Sequence, residues 1–321
     1  MRVLYIGGTG EISFDCIRES VRLGHDVSVF NRGRHNHGLP AECRLIRGDV
    51  GDDAAYGRLA DEHFDVICQF RLFTPTEIQR DIERFGGACS QYVFISSASA
   101  YRKPVRKLPI TEATPLGNPH WAYSQAKADM EALLQRQSGL PFTIVRPSHT
   151  YRTRLPTPLG GEVARLLRGK PVVVHGDGES LWTVTHARDF ARPFARLLGN
   201  PRALGEAFHI TGDRQWSWNE IFEAIAAALG VADPAWVHVA SDTLVRYQPE
   251  WEGPLLGDKA PSVAFDNSKV KSVAGDFDCP IGPWEGMKLV ADEFPPDPGA
   301  YDVALDRLYD RIVAEQNALG G

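Results

Sequence analysis

The sequence predicts an α/β chain, a doubly wound parallel sheet followed by a smaller C-terminal domain. Three observations carry that expectation. Short apolar runs alternate with helical stretches from the first residues to Pro147, a pattern that calls for parallel strands with helices on both faces. A glycine-rich turn, Gly7-Gly-Thr-Gly10-Glu-Ile-Ser13, joins the first run to the first helical stretch. Beyond Pro147 the strict alternation stops and Trp, Gly and Pro become frequent, which marks a change of domain near residue 150.

In order, Met1–Ile6 reads as the first strand and Phe14–Leu23 as the first helix. The strands DVSVF and CRLIRGDV follow, then a helix near Ala54–Glu62, the strand FDVICQF, a helical segment around Glu77–Gly86, and the strand QYVFISS. A helix over Tyr123–Gln137 leads into PFTIVRP, the sixth strand. Pro156, Pro158, Gly160 and Gly161 form a breaker-rich link. Residues 1–150 make the first domain, rejoined by about 184–213, and 151–183 with 214–321 make the second. Glu250–Pro261 reads as a long loop. Val303, Leu308, Ile312 and Leu319 recur at helical intervals, which predicts a C-terminal helix after Pro298.

At 321 residues, with 43% hydrophobic and 24% charged, the chain has the composition of a soluble globular protein with room for two domains. Its 35 Lys and Arg against 41 Asp and Glu leave a net charge of −6, which argues against a general nucleic-acid or membrane-surface binder. Cys16, Cys43, Cys68, Cys89 and Cys279 are odd in number and form no Cys-x-x-Cys pair, so neither a metal site nor a disulfide framework is expected. The chain starts directly on a strand, without the charged and apolar regions of a secretion signal, and no stretch approaches the roughly 20 apolar residues of a membrane span. A cytoplasmic protein is the expectation.

A glycine turn between a first strand and a helix suits a dinucleotide. Gly7 permits the tight turn, Gly10 lets a pyrophosphate approach the backbone, and Thr9, Glu11 and Ile12 complete the turn before the small Ser13 lets helix and strand pack. The helix N-terminus then offers N–H donors to phosphate. About twenty residues on, where an acid would take the ribose hydroxyl, the chain has Asn31-Arg32-Gly33-Arg34. Arg32 either pairs with a 2′-phosphate, which favours NADP over NAD, or is a solvated loop charge.

Tyr123 and Lys127 are four residues apart on a predicted helix and so share a face. A free tyrosine has a pKa of about 10, and an adjacent ammonium together with an oxidised nicotinamide favours the phenolate. The strand before that helix ends in Ser96-Ser97-Ala98-Ser99, at the sheet edge where open α/β folds bind ligands. A serine there can hydrogen-bond a reacting carbonyl or hydroxyl.

These motifs, with Asp49-Val50 after the third strand, FISSASAY, YSQAK and VRPSHTY, resemble the extended short-chain dehydrogenase/reductases of the NAD-dependent epimerase/dehydratase type. The resemblance covers most of the chain and is strongest up to Tyr151. It implies that Asp49 and Val50 contact adenine, that Ser97 is the catalytic hydroxyl, that Tyr123 is the general acid/base, and that Lys127 holds the nicotinamide ribose and lowers the tyrosine pKa. It also implies a cofactor across the edge of a Rossmann sheet, with Gln69, Phe70 and Pro147 on its nicotinamide side. A C-terminal domain closing over the substrate and a helix-mediated homodimer follow from the same likeness.

Departures from the pattern accompany it. Gln69-Phe70-Arg71 replaces the usual small residues, and Arg146-Pro-Ser-His149 replaces Arg-Pro-x-Asn. An Arg-Asp-Phe segment that grips a sugar nucleotide's phosphates aligns here with Trp182-Thr-Val. Trp182 either stacks on a sugar or base or is buried, and His149 either meets substrate or packs beside the cleft. Ser99 and Tyr101 are further substrate-side candidates; His186 reads as structural.

The expected activity is NAD(P)-dependent epimerisation, oxidation or reduction at a secondary alcohol or ketone of a sugar-like substrate, free or carried on a nucleotide. The alternative is a catalytically silent relative that binds RNA or senses cofactor, since the layout also resembles the chloroplast stem-loop-binding branch. Retained Tyr123 and Lys127, and the negative net charge, favour the enzyme.

Overall fold

The computed structural model describes residues 1–136 and 139–319. Gln137, where the helix after Tyr123 is predicted to end, lies outside the described residues. The strands are β1 (Arg2–Ile6), β2 (Asp26–Asn31), β3 (Arg44–Arg47), β4 (Phe64–Gln69), β5 (Cys89–Ile95), β6 (Phe142–Pro147), β7 (His149–Tyr151), β8 (Val172–His175), β9 (Leu181–Trp182), β10 (Val184–His186), β11 (Ala207–Ile210), β12 (Trp216–Ser217) and β13 (Trp236–Val239). Seven of them form one parallel sheet in the order β3-β2-β1-β4-β5-β6-β11. The reversal of order at β1 and β4 opens a crevice at their C-terminal ends, where the glycine turn lies.

Alternation along the strands assigns each face. Val3 and Tyr5 pack with Cys16 and Ile17 of α1 (Ser13–Arg22) and with Phe190 and Phe194 of a helix over Ala187–Leu197. Leu4 and Ile6 face the other way, onto Tyr56 of α2 (Asp53–Gly57), Ile78 and Phe85 of α3 (Pro75–Phe85), and Met130 and Leu134 of α4 (Ala122–Arg136). Helix α3 starts two residues before its predicted start because Thr74 and Glu77 close a capping box ahead of Pro75.

Residues after Pro147 build a second core from Tyr151, Trp182, Trp218, Phe222 and Met287, closed by Phe265. The C-terminal helix Val303–Leu319 brings Tyr309 and Ile312 against Val173, Trp251 and Leu255. Glu250–Pro261 is not the long loop that the sequence predicts. It winds through Pro249–Trp251, Glu252–Pro254 and a wide turn over Leu255–Lys259. The glycines that read as breakers meet tertiary demands, since a Cβ on Gly253 would lie 2.4 Å from the Trp121 ring and one on Gly257 3.2 Å from Asn118 Oδ1. All five cysteines are free thiols. Among the described residues no helix is long and apolar enough to cross a membrane.

Candidate active site

Strand β5 delivers Ser97 to the edge of the sheet. Ser97 caps a short turn over Ala98–Ala100, its Oγ accepting from Ser99 N at 3.2 Å and lying 2.8 Å from Ser99 Oγ. Ser124 Oγ, on the first turn of α4, donates to Ser99 Oγ at 2.6 Å. The three hydroxyls form a chain that fixes the strand end against the helix that carries Tyr123. Asn118 Nδ2 ties the same turn to the segment carrying Gly257 by donating to Ser99 O and Gly257 O.

Tyr123 and Lys127 share a face of α4, as their spacing predicts, with the Lys127 Nζ 5.7 Å from the Tyr123 ring centre. Lys127 is 3% exposed, and its Nζ donates to Leu72 O at 2.8 Å and Ile95 O at 2.9 Å. Burial pulls its pKa down to about 8, against the opposing pull of Glu131 and Glu77. For Tyr123 the sequence expectation combines a neighbouring ammonium with an oxidised nicotinamide, and the chain by itself acts differently. Its phenol stands above the ordinary tyrosine value, raised first by burial and further by the Asp258 carboxylate, with a contact to Ser97 acting the other way. The lysine lies beside the ring but spends two of its protons on backbone carbonyls, so the expected acidification is not produced by the chain alone.

A buried polar network braces this edge from below. Glu131, one turn beyond Lys127, is fully buried and receives Arg146 Nε at 3.0 Å, Arg146 Nη2 at 2.6 Å and the Ser96 hydroxyl. Arg146 Nη1 donates to Tyr101 Oη at 2.9 Å, and that oxygen lies 3.0 Å from His209 Nδ1. Tyr101 has no exposed surface, so the structure removes it from the substrate candidates. Its phenol is needed to satisfy the buried arginine.

The glycine turn fits a dinucleotide. Gly7 and Gly8 have φ of +111° and +84°, and a Cβ on Gly8 would stand 2.6 Å from Val29 and 2.9 Å from Ile17. No side chain caps the start of α1 through its N-cap; Gly10 N donates to Ser13 Oγ and Phe14 N to Gly10 O, and among the described residues the N–H groups of Glu11, Ile12 and Ser13 have no such partner and suit a phosphate. Thr9, Gly10 and Ile12 complete the turn. The Glu11 side chain is directed elsewhere, accepting from Arg152 N, Thr153 N and the Thr153 hydroxyl, which leaves its backbone for a cofactor.

At the adenosine end, Asn31 shapes its own loop by accepting from Gly33 N and donating to Asn36. Arg32 Nε lies 3.9 Å from Asp49 Oδ2, and both side chains are 54% exposed. Val50 O accepts from Arg80. Gln69 and Phe70 turn their side chains away from the crevice. Gln69 Nε2 donates to Tyr56 and to the buried Asp81, while Phe70 packs between Tyr5 and Phe194. The buried Asp81 carboxylate needs donors, and Gln69 is one of them.

Ser97, Ser99, Tyr123, Pro147, His149 and Trp182 line one cavity of about 290 Å³. Trp182 is 3% exposed and stacks on Trp218 at 5.7 Å, and it also forms part of the cavity wall. His149 is neutral, held down to about 3 by burial and by Lys259. His186 accepts from Arg188 N and caps the following helix. The cavity also contains Lys103, Trp121, Asp258, Lys259 and Phe265, which the sequence reading missed. Trp121 and Lys103 flank motifs that were singled out, so proximity was the available signal. Asp258 and Lys259 come from the segment read as a loop, and no local pattern marks them.

Fold and glycine turn together define the Rossmann class. The model of the NAD dependent epimerase/dehydratase family matches residues 76–211. A UDP-glucose 4-epimerase of Lactobacillus helveticus is 31% identical over 320 residues, covering 86% of this chain and 91% of that protein. The chain therefore belongs to the NAD-dependent epimerase/dehydratase family, enzymes of the extended short-chain dehydrogenase/reductase type. The chloroplast stem-loop binding protein of 41 kDa b from Arabidopsis thaliana is 29% identical over 252 residues, which span 74% of this chain and 65% of that protein. Among solved structures, a UDP-glucuronic acid 4-epimerase from Bacillus cereus in complex with NAD superposes with a TM-score of 0.72 at 16% identity, over 94% of this chain and 100% of that one, and shows the shared fold.

Proposed function

We propose that the chain binds a nicotinamide dinucleotide and epimerises, oxidises or reduces a secondary alcohol or ketone of a sugar or nucleotide-sugar-like substrate. The observation that carries this reading is the meeting of Ser97 and Tyr123 in one cavity wall, with Lys127 5.7 Å from the tyrosine ring. The turn Gly7–Ile12, Asn31, Arg32, Asp49 and Val50 would hold the adenosine and phosphates; Pro147, Tyr123 and Lys127 would hold the other end. When bound, that group supplies the hydride acceptor and donor.

The residues of the chain handle the proton and the oxygen. Ser97 Oγ hydrogen-bonds the reacting oxygen, and Tyr123 Oη exchanges a proton with it. Burial, which raises its pKa from the ordinary tyrosine value, favours the protonated phenol and sets it to act as an acid toward a carbonyl oxygen. Its action as a base requires more positive charge nearby. Lys127 offers its remaining N–H to a ribose hydroxyl. Arg32, loosely tied to Asp49, favours NADP, whose 2′-phosphate offers a stronger partner.

The test is absorbance of reduced nicotinamide during incubation with sugar mixtures. Wild type turns over, and Tyr123→Phe still binds cofactor through the glycine turn while losing roughly 10²–10⁴-fold in rate. Turnover that is indifferent to the variant, or absent from wild type with every sugar and nucleotide sugar tried, refutes the reading. On the same reading the protein is cytoplasmic and a homodimer; light scattering of the eluted protein checks the dimer, and cell fractionation the location. A second reading, RNA binding without catalysis, is favoured by the chloroplast relative and by a basic groove containing Arg102, Arg106 and Lys107. It demands RNA retention at moderate salt without turnover.

A further inference from the structure

The cavity walled by Ser97 and Tyr123 also contains an unbalanced set of donors. Lys103 is 3% exposed, and among the described residues its ammonium has no hydrogen bond and no carboxylate within salt-bridge distance. It lies 5.6 Å from the centre of the Trp182 ring. Lys259 Nζ lies 5.9 Å from the same ring and 5.7 Å from that of Trp121, and pairs with Asp258 Oδ2 at 3.1 Å. Two ammonium groups thus share one carboxylate. The Trp182 Nε1–H is buried without an acceptor. Buried donors of this kind are costly until an acceptor arrives. The hydroxyls of a neutral sugar accept as well as donate but bring no charge, and an amino sugar adds like charge. An oxyanion adds to the single carboxylate of Asp258 a second negative charge for the two ammonium groups, with lone pairs for their N–H donors and the indole.

We propose that Lys103 and Lys259, beside the Trp182 indole, form an oxyanion subsite, and that the substrate is an acidic sugar whose own carboxylate or phosphate is held there. This rests on the reading of the cavity as the place where a sugar-like ring meets Tyr123. Burial pulls the Lys103 pKa down, the Asp258 carboxylate opposes it and Lys259 adds to it, and an arriving anion acts in the same direction as Asp258, so binding draws a proton toward this amine.

Calorimetric titration of the cofactor-saturated protein with glucuronate, glucose 1-phosphate, glucose and glucosamine tests the subsite. At least one of the two anions binds about tenfold or more tighter than glucose, with glucosamine weakest. Whichever anion leads identifies carboxylate or phosphate as the group held. Lys103→Met abolishes the preference and Lys103→Arg keeps it, while cofactor affinity is unaltered. Should Lys103→Met not fold, Lys259→Met, on a distant segment, is read in its place. Equal binding of glucose and both anions overturns the subsite. So does a preference that survives the methionine variant, or competition by UDP with the preferred anion, which would give the lysines to a nucleotide diphosphate. Loss of hydride chemistry with the preference intact removes the proposed reaction and leaves the subsite. Turnover of neutral sugars alone does the reverse.

Discussion

Replacing Glu131 by glutamine tests the brace under the site, because the change is nearly isosteric and removes only charge and acceptor capacity. Glu131 and Arg146 are 0% and 2% exposed, joined by contacts of 3.0, 3.2 and 2.6 Å. The variant leaves the guanidinium with one amide oxygen, Tyr101 Oη and Glu112 O as acceptors, and with no counter-charge. Breaking one side of a buried pair costs about 3–5 kcal/mol, because the surviving charge stays desolvated. With an unfolding entropy of about 2.1 cal/mol/K per residue, that loss corresponds over this chain to a fall of roughly 4–7 °C in the calorimetric midpoint. A second readout separates this network from ordinary packing. The Glu131 carboxylate holds the Lys127 pKa up against burial, so its loss moves that pKa below about 8 and brings the alkaline limb of turnover to lower pH. A midpoint within about 1 °C of wild type would show that the pair is solvated or dispensable, and the reasoning would fail.

Arg32→Ala should lower NADP affinity relative to NAD, measured by fluorescence titration of both cofactors; an unchanged ratio removes Arg32 from the adenosine site. Gly253→Ala places a methyl group against Trp121, so it should destabilise the protein by about 1–3 kcal/mol and weaken substrate binding more than cofactor binding. His175 is 1% exposed and held down to about 4, first by burial. Between that value and its unfolded pKa of about 6.5 the unfolded chain binds the proton and the folded chain does not, so stability falls as pH falls. Denaturant titrations at pH 7.5 and 5 should differ by about 2 kcal/mol from this residue, and the difference should vanish in a folded His175→Gln variant.

What was legible in the sequence is what local period encodes. Val3 and Tyr5 against Leu4 and Ile6 declare a strand buried on both faces, and the glycine turn declares the crevice. Tyr123 and Lys127 could be placed on one helix face because four residues is close to one turn. Side-chain direction at the strand ends was not legible. Gln69 and Phe70 stand where a cofactor edge belongs, yet one answers the buried Asp81 and the other fills the gap between Tyr5 and Phe194. Tyr101 follows the serine motif and still points inward, because its phenol accepts from Arg146 Nη1 inside the buried network with Glu131. Asp258 and Lys259 were hidden for a different reason. Gly253, Pro254 and Gly257 look like breakers, while two of them are small because Trp121 and Asn118 occupy the space where side chains would be.

The position of Lys127 and its charge state answer to different parts of the fold. Two of its three N–H donors are fixed by Leu72 O at the end of the fourth strand's loop and Ile95 O at the end of the fifth, so the amine is anchored to the sheet edge rather than to the tyrosine. That anchoring makes its direction independent of α4 rotamer freedom, and it leaves one donor for a ligand. The same burial that secures the anchor brings the amine's pKa to about 8, so the pair works in the pH range where Lys127 remains charged and Tyr123 remains protonated. An arginine at position 127 would keep the charge at every pH but could not place a compact ammonium between the two carbonyls, because its planar fork needs more room. Lys127→Arg should therefore remove the alkaline fall in turnover only if the larger group is accommodated. If instead it abolishes cofactor binding in a chain that still folds, the tight fit at the sheet edge is the property that matters.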